Sequence, residues 1–205
     1  VDVSGSRNFG TLSQMKRDMM AEVAATLAFS TIANNDKVGV IFFSDKIEKY
    51  IPAQKGKTHV LHIIRELLSF EPNSKGTDMA QALQYFANAQ KRHCTAFLIS
   101  DFIGAGAVDK PLLIASNRHE VNAIQIYDRR EAELPNIGLV KFHDAESDKD
   151  LWIDTSLTTV RDDYAQAWKQ NQDLLEQLFT RTGVNHISVR TDEDYVKALM
   201  HLFRC

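Results

Sequence analysis

Apolar residues recur at every fourth position between Met15 and Asn34, as Met15, Met19, Val23 and Leu27 on one line and Met20, Ala24, Ala28 and Ile32 on the next. That spacing predicts a long, mostly buried helix. Asn34-Asn35-Asp36 stops it, and the unbroken run Val38-Gly39-Val40-Ile41-Phe42-Phe43 predicts a strand covered on both faces. Ser44-Asp45-Lys46 is a turn, and Ile47 to Ile51, ended by Pro52, is expected as the antiparallel edge strand of a hairpin. Helices are predicted from His59 to Phe70 and from Thr77 to about Arg92, with the breaker Glu71-Pro72-Asn73-Ser74-Lys75-Gly76 between them. Ala96 to Ile99 reads as a buried strand and Lys110 to Asn117 as a short helix. The alternation along Val121 to Tyr127 predicts a strand covered on one side only.

Beyond Pro135 the pattern changes. Residues 136–157 are expected as a hairpin insertion, with Leu139 to Phe142 and Leu151 to Ile153 flanking the acidic tip Asp144 to Asp150. A polar amphipathic helix over about Thr159 to Thr182, a strand His186 to Val189, and a helix opening at Thr191-Asp192-Glu193-Asp194 complete the chain. Strands alternating with helices predict an α/β fold: a mainly parallel central sheet of Rossmann type, one antiparallel edge strand, helices on both faces, and a C-terminal hairpin and helix extension. At 205 residues the count favours a single domain, 1–205. The chain lacks an initiator methionine and offers only Val1 to Val3 of a first strand, so it reads as a fragment of a longer protein.

Composition narrows the function. A formal charge of -3 supplies no excess of cations for phosphate contacts, which disfavours nucleic acid. Cys94 and Cys205 lie far apart without metal-knuckle or redox spacing, and a reduced, cytoplasmic setting is the simplest reading. No stretch reaches the roughly 20 apolar residues of a membrane span, although a missing N-terminal region leaves room for an anchor.

The candidate chemistry follows from tracing the direction of the chain. If the first strand runs up, Asp2, Ser4 and Ser6 leave it at the top; the loop carrying Thr77 is again at the top, and the strand Ala96 to Ile99 delivers Asp101 to the same rim. Ligand sites of open α/β sheets form at that edge. Two carboxylates and three hydroxyls are all oxygen donors, a set suited to Mg²⁺ or Mn²⁺ rather than zinc. Alternate residues of Asp2-Val3-Ser4-Gly5-Ser6 point the same way as they leave a strand, and Gly5 frees the turn.

Asp2-Val3-Ser4-Gly5-Ser6, Lys75-Gly76-Thr77-Asp78 with Ala82-Leu83, and Leu98-Ile99-Ser100-Asp101 resemble the metal-ion-dependent adhesion site of von Willebrand factor A domains. The chain is more closely similar to a bacterial family, domain-of-unknown-function family fifty-eight, encoded beside MoxR-type AAA+ ATPases. Phe9-Gly10-Thr11, Asn35-Asp36-Lys37-Val38-Gly39, Phe43-Ser44-Asp45, Asp101-Phe102 and Thr191-Asp192-Glu193-Asp194-Tyr195 carry that likeness along nearly the whole chain. The resemblance implies direct metal contacts from Ser4, Ser6 and Thr77, with Asp2 and Asp101 bound directly or through water. It also implies a partner's Asp or Glu completing the sphere, work with a MoxR-like ATPase, and a role in complex assembly or stress tolerance. Arg7, Phe9, Lys75 and Phe102 are expected on the docking rim.

Plainer explanations exist for each residue. Ser4 and Ser6 could satisfy a turn, Thr77 could be a helix cap, and Asp101 a loop carboxylate. His59 and His62 are expected on the surface or in packing, Cys94 as inert packing, and the tip Asp144 to Asp150 as a solvated turn, because a calcium loop would need Gly at Lys149 and Glu at Thr155. Neither Ser4 nor Ser6 sits in a G-x-S-x-G elbow, and no Walker A motif is present. The reading is a metal-dependent interaction module that is not an enzyme; the alternative is a metal-dependent hydrolase or phosphotransfer enzyme using Asp2 and Asp101.

Overall fold

The computed structural model describes residues 1–4, 16–72, 74, 76–104, 106–144 and 149–203. Its elements are α1 (Lys16–Asn34), β1 (Val38–Phe43), β2 (Ile47–Gln54), α2 (Lys57–Ser69), α3 (Met79–Ala89), β3 (Thr95–Ser100), α4 (Asp109–Ser116), β4 (Glu120–Tyr127), α5 (Arg129–Ala132), β5 (Leu139–Asp144), β6 (Lys149–Asp154), α6 (Thr158–Thr182), β7 (Asn185–Arg190) and α7 (Tyr195–Leu202).

β3, β4 and β7 form a parallel sheet in that order, and β1 pairs antiparallel with β2. The segment 1–3 joins these two pieces. On one side Val3 N–H donates to the Phe43 carbonyl at 2.8 Å, in a parallel bridge between Asp2 and Phe43; on the other Asp2 N–H donates to the Ile99 carbonyl at 2.9 Å. The strand order is therefore β2, β1, segment 1–3, β3, β4, β7, mainly parallel with an antiparallel edge.

Neighbouring residues on a strand point to opposite faces, and the two cores follow from this. Phe42, Ile99, Ile124 and Ile126 pack with Met19, Met20 and Val23 of α1, Ile63 and Leu67 of α2, and Leu199 and Leu202 of α7. Their neighbours Phe43, Leu98, Val121 and Ala123 pack with Met79 and Leu83 of α3, Leu112 and Ala115 of α4, and Leu175, Leu178 and Phe179 of α6. Helices thus cover both faces, and each fully buried Ile or Phe contributes on the order of 1.5–3 kcal/mol.

Two expectations need correction. β4, expected to be covered on one side, is buried from Val121 to Ile126 because it lies between β3 and β7. Its polar positions face partners rather than water: Asn185 Nδ2 donates to Asn122 Oδ1 at 3.3 Å, and Ser188 Oγ donates to Gln125 Oε1 at 2.8 Å. Period-two polarity reports hydrogen-bonding positions as well as solvent. β2 continues through Pro52 to Gln54 rather than stopping there, which an edge strand tolerates because the missing N–H removes no inner ladder bond.

The hairpin β5 and β6 pairs in register from Leu139 opposite Asp154 to Asp144 opposite Lys149. The short helix α5, absent from the sequence pattern, is closed by a capping box in which Asp128 and Glu131 satisfy each other's backbone.

Candidate functional site

The carboxyl ends of segment 1–3, β1 and β3 meet at one rim, and the hydrogen bonds that join these strands place Asp2 at its centre. Asp2 is 1% exposed. Its Oδ1 accepts the Ser4 N–H at 2.9 Å and its Oδ2 accepts the Ser100 hydroxyl at 2.7 Å. Burial, then the neighbouring Asp101 charge, pushes its carboxyl pKa above the ordinary value, against the opposing hydrogen bonds from Ser100 and Ser4. Ser4 is buried beside it.

Thr77 reaches the rim through a different link. Asp78 N–H donates to the Ser44 carbonyl at 2.8 Å, and Ser44 directly follows Phe43, the strand partner of Asp2. Asp78, not Thr77, is the cap of α3, accepting the Gln81 N–H at 2.8 Å. The helix-cap explanation for Thr77 therefore falls away. Its Oγ1 is buried and has no hydrogen-bond partner among the described residues.

Asp101 is 1% exposed at the end of β3. Its Oδ1 accepts the Ile103 N–H at 3.0 Å, and its Oδ2 accepts from the Lys16 ammonium at 2.7 Å. Phe102, expected on the rim, points inward: it is 3% exposed, its ring lies edge-on to Phe179 at 5.3 Å, and its φ of 59° is a left-handed conformation unusual for an aromatic residue. The tight turn after Asp101 needs that conformation, and the Phe102 N–H donates to Ser100 Oγ at 3.0 Å. Ser6, Arg7, Phe9 and Lys75 lie outside the described residues.

Three contributors were missed in the sequence. Ser100 orients Asp2, and a serine closing a buried strand was the available signal. Lys16 is fully buried at the start of α1, with its ammonium 2.7 Å from Asp101 Oδ2 and 2.5 Å from Glu131 Oε1. Burial alone would lower the lysine's pKa, but the Asp101 and Glu131 charges outweigh it and hold the ammonium above its usual range. The signal was positional: Lys16 stands three and four residues before Met19 and Met20, on the inward face of the helix. Glu131 belongs to a helix too short to show a period.

The donor set fits a hard divalent cation. Carboxylate and hydroxyl side chains share the rim, the buried Thr77 hydroxyl has no hydrogen-bond partner among the described residues, and the Asp101 charge raises the Asp2 pKa, effects that a cation at the rim would relieve. No group of three or more His, Cys, Asp or Glu suited to a metal occurs among the described residues, so a metal here depends on the hydroxyls.

The other polar candidates lie elsewhere. His59 Nε2 is 2.9 Å from the Val38 carbonyl, and His62 faces Glu66 at 3.9 Å. Cys94 Sγ is 3.6 Å from Nδ1 of the buried His119. Burial raises the Cys94 thiol pKa and lowers that of the imidazole, the opposite of an activated pair.

A mainly parallel sheet with an antiparallel edge, helices on both faces, and Asp2, Ser4, Thr77 and Asp101 at one carboxyl rim are the arrangement expected from the resemblance to von Willebrand factor A domains. The family described as protein of unknown function DUF58 matches residues 1–174, and the chain belongs to it. It is 32% identical over 200 residues to the uncharacterized proteins Rv1480 of Mycobacterium tuberculosis and Mb1516 of Mycobacterium bovis. The alignment covers 96% of this chain and 62% of each relative, so the chain spans less than two thirds of their length. Two crystal structures share the fold at 15% identity: an aerotolerance-related membrane protein from Bacteroides fragilis, with TM-score 0.66 over 100% of this chain and 96% of that one, and BatB from Bacteroides thetaiotaomicron, with TM-score 0.62 over 99% and 94%. No helix among the described residues is long and apolar enough to cross a membrane.

Proposed function

We propose that this domain is a protein-interaction module that binds Mg²⁺ or Mn²⁺ at the rim of Asp2, Ser4, Ser6, Thr77 and Asp101 and uses the ion to grip an Asp or Glu of a partner. The observation that carries this reading is the buried Thr77 hydroxyl, which has no hydrogen-bond partner among the described residues, at a rim that already concentrates carboxylate charge. An unpaired buried hydroxyl costs about 1–3 kcal/mol, a cost that metal coordination would remove. When bound, the ion supplies a Lewis-acidic positive centre. The protein's residues hold it: Ser4 and Thr77 as neutral oxygen ligands, Asp2 as the charged one, oriented by Ser100 and the Ser4 amide. Neutral hydroxyls leave the ion electron-poor, which favours an anionic oxygen from outside.

Burial and full hydrogen bonding of Asp2 and Asp101 favour a holding role over a nucleophilic one. The family resemblance supports a MoxR-type AAA+ ATPase as partner, in complex assembly or stress tolerance. The test captures proteins on the immobilised domain with Mg²⁺, with chelator, and on Asp2→Ala, alongside Mg²⁺ titration calorimetry of both proteins. We expect heat of binding and retained partners, an AAA+ ATPase among them, only for wild type with metal. The same partners under all three conditions, or equal heats, would overturn the reading.

A further inference from the structure

Lys16 brings a second cation to this rim, and the protein carries it permanently. The side chain is fully buried, and its ammonium joins Asp101 at 2.7 Å to Glu131 at 2.5 Å. Glu131 is fixed in turn. Its Oε2 accepts the Asp128 N–H at 2.8 Å, and Asp128 Oδ2 accepts the Thr191 hydroxyl at 2.9 Å, so the triad is tied to α5 and to the residue following β7.

The charges around the rim make this consequential. Asp2, Asp101 and Glu131 are three buried or nearly buried carboxylates, and Lys16 offsets one of them. A divalent ion at the rim would find Asp101 already shared with an ammonium, because Asp101 Oδ1 serves the Ile103 N–H and Oδ2 serves Lys16. Two positive centres drawing on one carboxylate repel each other, and over a few ångströms at a protein rim that repulsion changes affinity by on the order of tenfold or more. Glu131 works in the opposite direction, since its charge screens the ammonium from the rim.

We propose that Lys16 is a tethered counter-ion that competes with the divalent metal for Asp101, and that Glu131, by neutralising Lys16, sets how strongly it competes. The inference rests on the metal reading above, and it makes Lys16 and Glu131 positioning residues of that site rather than ligands. It accounts for a lysine buried where an apolar residue would pack at lower desolvation cost. It also makes the rim a weak binder on its own, so that the partner's carboxylate is needed for tight metal retention.

The test is Mg²⁺ titration calorimetry on wild type, Lys16→Met and Glu131→Gln, with Mg²⁺-dependent thermal unfolding of each. Removing the ammonium should tighten Mg²⁺ on the order of tenfold, and removing the Glu131 charge should weaken it by a comparable factor. Opposite signs matter, because a variant that merely loosens the fold weakens binding in both cases. If Lys16→Met does not fold without metal, Mg²⁺ should restore its unfolding transition, and Glu131→Gln alone still decides the direction. Wild-type binding with both variants within twofold of it would overturn the counter-ion role and leave the metal reading standing. Mg²⁺ binding by Lys16→Met alone would make Lys16 the resident cation and overturn the metal reading for the wild type. Binding by none of the three would overturn both.

Discussion

Thr77 holds a hydroxyl that lowers stability where it stands, because its oxygen has left water without gaining a hydrogen bond among the described residues. Valine has nearly the same shape and no such oxygen. Thr77→Val is therefore expected to raise the stability of the metal-free protein by about 1 kcal/mol and to abolish stabilisation by Mg²⁺, as measured by urea unfolding with and without the ion. A loss of stability in chelator would instead assign the hydroxyl a structural partner. Asp2, Ser4, Thr77 and Asp101 were legible in the sequence because short motifs at strand ends keep their spacing. Ser100, Lys16 and Glu131 were not, because their roles depend on contacts across 98, 85 and 115 residues of chain.

Among the elements, β1 shows how one residue holds a rim strand in place. A Cβ on Gly39 would lie 2.7 Å from the Ile51 carbonyl oxygen and 2.8 Å from the Ala53 nitrogen, at the point where the register between β1 and β2 shifts. Backbone atoms cannot step aside as a side chain can. Gly39→Ala is expected to cost about 1–3 kcal/mol, read as a lower urea midpoint with an unchanged slope. An unaltered midpoint would mean that β1 and β2 separate more freely than this packing allows. A glycine inside an apolar run signals a bulge or a close approach, but which backbone comes close is a property of the pairing. The same limit applies to β4, whose asparagine and glutamine look solvent-facing until β7 lies alongside.

Across the whole molecule, protection should fall from the middle of the sheet outward. β4 is buried between β3 and β7, whereas β5 and β6 pair only with each other among the described residues and expose Leu139, Leu151 and Trp152. In hydrogen exchange the β4 amides should open only with global unfolding, and those of the β5 and β6 hairpin should exchange earliest among the strands. Hairpin protection equal to that of β4 would show that its exposed apolar face is covered in solution. The sequence by itself determined the alternation of strands and helices and the parity that brings Asp2, Thr77 and Asp101 to one rim, because periodicity and spacing are local. Only the tertiary structure decided that Phe102 turns inward, that Thr77 has no hydrogen-bond partner among the described residues, and that a buried lysine shares Asp101, because burial and charge pairing depend on which distant segments meet.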